Sequence, residues 1–116
     1  MARVVAVFDD LLLGSNVLGA LRAAGHVAEL VADPSRVVPD GAAVLVVDLG
    51  AGFDGVALVE RLRAGGELGA TRTLGVYSHV HHDVRLRAEA AGFDLVVPRS
   101  RMAREGPALV ERLAAA

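Results

Sequence analysis

Seven polar residues carry most of the chemistry that this 116-residue chain could perform: Asp9 and Asp10, Asp48, Ser78 and His79, Arg99 and Ser100. Three carboxylates brought into one pocket repel each other and invite a divalent cation. Hard oxygen ligands suit Mg²⁺, which takes one or two carboxylates together with waters and phosphate oxygens. Asp9, Asp10 and Asp48 are the candidate metal ligands. With a cation in place, Asp48 can act as an in-line nucleophile toward a phosphoryl donor, giving an aspartyl phosphate. Ser78 could then hydrogen-bond a phosphoryl oxygen and Arg99 could neutralise its charge. Taken one at a time, each residue is explained as well by a strand-end side chain capping the next helix. The expectation of a shared site rests on the whole set.

A second cluster, His79, His81 and His82, offers imidazoles of the kind zinc sites use. The plainer interpretation is a polar loop before a helix. Gly14-Ser15 could present backbone N–H groups to an anion at a helix N-terminus, although helix capping is the commoner role.

These residues need elements to gather them. Short, Val-rich runs recur five times: Arg3 to Phe8, His26 to Val31, Ala43 to Asp48, Thr73 to Tyr77 and Asp94 to Val97. Apolar on both faces, they are expected to be strands buried between two helical layers. Amphipathic stretches lie between them. One follows Ser15 as N-cap and ends at Gly25; a second follows Asp54; a third follows Asp83; the last runs from about Arg104 to Ala115, with Pro107 in its first turn. Asp33 to Gly41 holds Pro34 and Pro39, which predicts a short turn instead of a helix. The pattern predicts one domain over 1–116, a doubly wound parallel α/β sandwich with its second helix short or absent. In such sheets ligands sit beyond the carboxyl ends of the strands. Strand 1 ends at Asp9-Asp10 and strand 3 at Asp48, with Ser78 after strand 4 and Arg99 after strand 5.

Composition narrows the possibilities. All 12 basic residues are arginine, and Lys and Cys are absent, which excludes a Schiff-base lysine, a P-loop lysine, disulfides and thiolate zinc. A formal charge of -2 gives no basic footprint for nucleic acid. No apolar run approaches the roughly 20 residues that span a bilayer. Met1-Ala2-Arg3 leads straight into a strand, so no signal peptide and a cytoplasmic location are expected.

In this order and spacing, the motifs resemble those of the CheY-like receiver domains of response regulators. Asp9-Asp10 after Val-Ala-Val-Phe resembles the acidic pair, and Asp48 in Val-Leu-Val-Val-Asp-Leu the phosphoacceptor. Ser78 resembles the family's Thr or Ser. Asp54-Gly55 and Ala91-Gly92-Phe93-Asp94 resemble the Asp-Gly opening of its third helix and the Ala-Gly-Ala-Asp before its fifth strand. The resemblance covers the whole chain and implies a three-layer flavodoxin/CheY-like sandwich with strand order 2-1-3-4-5. It implies two-component phosphorelay signalling with Mg²⁺, a sensor histidine kinase or other signalling protein as partner, and no enzymatic activity beyond self-phosphorylation and dephosphorylation. Output through a homodimer of helix 4, strand 5 and helix 5 is also implied.

Four departures bear on that function. Arg99 aligns with the family's lysine and Ser100 with the proline after it; Val96 aligns with its aromatic switch; Gly50-Ala51-Gly52 replaces its Met-Pro turn, giving a looser loop; and the second helix is nearly lost. Arg99-Ser100, Ser78-His79 and Gly14-Ser15 resemble a divergent subgroup of stand-alone receiver-like proteins. The alternative to phosphorelay is thus a degenerate receiver signalling through protein contacts, with Arg99 paired to Asp48.

Overall fold

The computed structural model describes residues 1–116. Five strands, β1 (Arg3–Val7), β2 (Val27–Val31), β3 (Val44–Asp48), β4 (Arg72–Tyr77) and β5 (Leu95–Pro98), form one parallel sheet in the order β2-β1-β3-β4-β5. Three helices connect strands, α1 (Leu11–Ala23), α2 (Gly55–Ala64) and α3 (His82–Ala90), and a fourth, α4 (Arg99–Ala115), follows β5. A single 3₁₀ turn, Pro34–Arg36, stands where a helix between β2 and β3 would lie. Asp33 starts that turn by accepting from the Ser35 amide and hydroxyl at 2.9 and 2.7 Å.

Alternation along the central strands sends successive side chains to opposite faces. Val4, Ala6, Val44 and Val46 pack with Leu21 of α1 and Leu109 and Val110 of α4. Val5, Val7, Leu45 and Val47 pack on the other face with Val59 and Leu62 of α2 and Ala88 of α3. Each fully buried Val or Leu contributes roughly 1.5–3 kcal/mol of transfer free energy, so a core almost free of aromatics still holds the sheet between its layers. No helix is long and apolar enough to cross a membrane.

Three helix starts differ from the sequence expectation. Helix α1 begins at Leu11 and is capped by Asp10, whose Oδ1 accepts from the Leu13 amide at 3.1 Å; Ser15 lies within the helix, exposed. An aspartate that can meet the N3 amide is at least as good a cap as serine, and here it comes first along the chain. Helix α3 is preceded by His81, which makes no side-chain cap, while Asp83 sits in the first turn, where its charge suits the helix dipole. Helix α4 begins at Arg99, directly after Pro98, so Pro107 lies in its interior. Met102 is buried on the same stripe as Leu109, Val110 and Leu113, and that contact carries the helix back to the end of β5. Pro107 has no N–H for the carbonyl of Ala103, and the exposure of Ala103 leaves that carbonyl to water. Asp54 caps α2 as expected, accepting from the Ala57 amide at 3.0 Å.

Candidate functional site

Strand order reverses between β1 and β3, whose parallel register pairs Val7 with Val47. Asp48 is the last residue of β3, and Asp9 and Asp10 directly follow β1, so the three flank the crevice at the switch point. Asp48 is 1 % exposed. Its Oδ2 accepts from the backbone amides of Asp9 and Asp10 at 3.2 and 3.3 Å, and its Oδ1 from the amide of Gly50 at 2.9 Å.

Arg99 completes the arrangement. It is the first residue of α4, and side chains lean toward a helix N-terminus, here the carboxyl edge of the sheet. Its Nη1 is 3.3 Å from Asp10 Oδ2 and its Nη2 3.7 Å from Asp48 Oδ1. One guanidinium therefore bridges the ends of β3 and β1. A hydrogen bond to a charged group contributes roughly 1.5–3 kcal/mol, while burying a carboxylate costs several kcal/mol. Three amides alone offset much of that cost, and the guanidinium adds its attraction to theirs.

The β3–α2 loop forms the roof, and it is closed where a looser loop was expected. Gly50 lies so near the pocket that a Cβ there would stand 3.0 Å from Asp48 Oδ1 and 3.1 Å from Arg99 Nη2. At Gly52 a Cβ would overlap the Asp9 carboxylate, 2.0 Å from its Oδ2. Absence of a side chain thus lets the backbone pack onto the acids, and the Gly50 amide becomes a ligand of Asp48. The Gly-x-Gly spacing two residues after Asp48 is the sequence signal for such close approach. A hollow of about 240 Å³ opens beside this loop, lined by Phe53, Asp54, Val84 and Arg87 among others; Asp48 does not line it.

Asp9, Asp10, Asp48 and Arg99 are brought together by these contacts. Ser78 is half-buried after β4, and its carbonyl accepts from the His81 amide at 2.9 Å; its hydroxyl does not join the Asp48 network. His79, His81, His82 and Ser100 are exposed. No three His, Cys, Asp or Glu side chains stand close enough to hold a metal ion together. Mg²⁺, which the acidic residues invite, does not fit the pocket as it is folded. All four carboxylate oxygens of Asp10 and Asp48 already face an amide or the guanidinium, leaving only the exposed Asp9 carboxylate without a cationic partner. Val96, at the position of the aromatic switch, is buried against the α2–α3 layer.

No protein-family model matches the chain, and no curated protein matches it. Solved structures do. The Francisella response regulator 1452 receiver domain aligns with a TM-score of 0.85 at 16% identity, over 99% of this chain and 98% of that one. The receiver domain of the response regulator NarL from Mycobacterium tuberculosis aligns with a TM-score of 0.81 at 22% identity, over 98% and 96%. A pilus assembly protein (cpaE) from Burkholderia thailandensis aligns with a TM-score of 0.78 at 17% identity, over 100% of both chains. The five-stranded sheet, its order and its flanking helices are those of the CheY-like receiver fold.

Proposed function

We propose that this chain is a cytoplasmic, response-regulator-like signalling module that acts through protein contacts, with its acidic pocket held shut by Arg99 instead of being opened for phosphorylation. The observation that carries this is the guanidinium bridge from Asp10 to a buried Asp48. In-line attack on a phosphoryl donor requires a carboxylate oxygen facing that donor, and both oxygens of Asp48 are engaged. The fold alone does not assign phosphotransfer, since a pilus assembly protein shares it. Contacts with a sensor kinase, another signalling protein or a second copy would use α3, β5 and α4, where Leu86 of α3 is 68 % exposed.

Phosphorylation of Asp48 is the second reading, favoured by its place at the switch point beside the Asp9 carboxylate, which has no cationic partner. It requires Arg99 to swing away, with Mg²⁺ at Asp9, Asp10 and Asp48 and with Ser78 and Arg99 contacting the phosphoryl group.

Incubation with acetyl phosphate and Mg²⁺, read by intact mass, separates the two. The wild-type chain is expected to keep its unmodified mass. A phosphoryl adduct that disappears in Asp48→Ala overturns the proposal in favour of phosphorelay.

A further inference from the structure

We propose that the Arg99 guanidinium is the resident cation of this pocket, and that it excludes a divalent ion which the same carboxylates would otherwise bind. This deepens the function proposed above and rests on it.

Three features carry the inference. First, the guanidinium stands between the carboxylates that an ion would have to link, at 3.3 Å from Asp10 and 3.7 Å from Asp48. Mg²⁺ must approach its oxygens to about 2.0–2.1 Å. An ion joining Asp10 Oδ2 to Asp48 Oδ1 would therefore collide with the guanidinium and be repelled by its charge. Second, the bridge has no internal competitor. Of the two acids on α4, Glu105 pairs with Arg101 at 3.4 Å and with Arg104 at 3.7 Å, and Glu111 faces His26 at 3.5 Å, so Asp10 and Asp48 are the only acidic partners of Arg99. Third, the loop above is shaped around the guanidinium, since a Cβ at position 50 would stand 3.1 Å from its Nη2 and only glycine leaves it room. Arginine stays charged at any pH at which proteins fold, so deprotonation cannot release the bridge.

Removing the guanidinium alone would free Asp10 Oδ2 and one side of Asp48 Oδ1, beside an Asp9 carboxylate that is already exposed. The pocket would then hold three carboxylates with no cation, the donor set a hard divalent ion takes.

Mn²⁺ is the probe, being paramagnetic and oxygen-seeking like Mg²⁺. Wild type, Arg99→Ala and Arg99→Gln are titrated with Mn²⁺, following the amide NMR signals of Asp10 and Gly50 and the melting temperature. Either variant is expected to show saturable broadening of those signals and a saturable rise in melting temperature. Adding Asp48→Asn to Arg99→Gln should abolish both, and wild type should show neither. A variant that folds only when Mn²⁺ is present also supports the proposal. It is overturned if wild type binds Mn²⁺ in the same saturable way, or if neither variant gains binding or folding from Mn²⁺. The two proposals fail separately. Wild type that binds Mn²⁺ but takes no phosphoryl group sinks only the resident-cation inference, whereas a phosphoryl adduct on Asp48 sinks the function proposed above.

Discussion

The two ends of the sheet bury polar groups in opposite ways. At the amino end, most find a partner in a neighbouring segment, although His26 Nε2 is buried without a hydrogen bond. His26, 6 % exposed, accepts from the Ala2 amide through Nδ1 at 3.1 Å. Thr71 donates to the Ala42 carbonyl at 2.7 Å. Asp94 Oδ2 accepts from the Thr73 amide and hydroxyl at 2.8 and 3.2 Å, the Asp94 amide donates back to the Thr73 hydroxyl at 3.1 Å, and Arg72 lies 3.5 Å away. One charge meets one counter-charge there, and the loops are stapled. At the carboxyl end, Asp10 and Asp48 share one guanidinium, Asp9 has no cationic partner, and the most buried of the three is held by amides from separate segments. Asp94 at the amino end is thus a strut, while at the carboxyl end Arg99 serves two carboxylates and leaves a third, Asp9, without a counter-charge. That end is also the one at which α/β sheets of this topology bind ligands.

The sharpest way to break this contrast is Arg99→Ala. Removing the guanidinium leaves buried Asp48 to its three amides alone, and urea unfolding is expected to lose up to about 3 kcal/mol. Asp94→Asn, at the other end, keeps the acceptor for Thr73 and is expected to cost about 1 kcal/mol or less. Equal costs for the two would remove the distinction between the ends. His26→Ala comes next, at about 2 kcal/mol, because it leaves the Ala2 N–H without an acceptor inside the packed amino end. The check is again urea unfolding, and hydrogen exchange at Val27, whose amide bonds the Ala2 carbonyl at 2.9 Å, should quicken with it.

A comparably small effect belongs to Asp54, a carboxyl-end aspartate outside the pocket. The Ala57 amide bond, aided by Arg87 at 3.2 Å, holds its carboxyl below the ordinary carboxylate value of 3.8. A lowered folded value means the unfolded chain takes up the proton first. The stabilisation is therefore present above the unfolded value and is lost as pH falls through the folded one. Asp54→Ala should cost about 1 kcal/mol at neutral pH and less in acid. Thermal melts run from neutral pH down through the carboxylate range would show the two curves converging; curves that stay parallel would remove Asp54 from the account.

Much of this was legible in the chain. Val-rich runs place the five strands to within about a residue, because a strand buried on both faces must be apolar throughout; the edge strand β2 is the exception, with Val27 and Glu29 exposed. Pro34 and Pro39 foretell the lost helix through their fixed φ and missing donors. The strand-end rule names Asp9, Asp10, Asp48, Ser78-His79 and Arg99-Ser100 as neighbours, of which Asp9, Asp10, Asp48 and Arg99 come together and the others do not join their hydrogen bonds. Helix starts were harder, since Asp10 and Ser15 compete locally as caps and tertiary contact settles the choice. For α4, Pro107 suggests a start near Arg104, whereas burial of Met102 extends the helix to Arg99.

Sequence by itself determined the sheet, its layers and the set of charged groups at one edge, because hydrophobic period and turn chemistry are local properties. Only tertiary structure decided what those groups do to one another. The bridge of Arg99 to Asp10 and Asp48, the amides that hold Asp48 and the glycines that close over it join segments dozens of residues apart. Distances of a few ångströms set the strength of charge interactions, and a linear order of residues does not contain them.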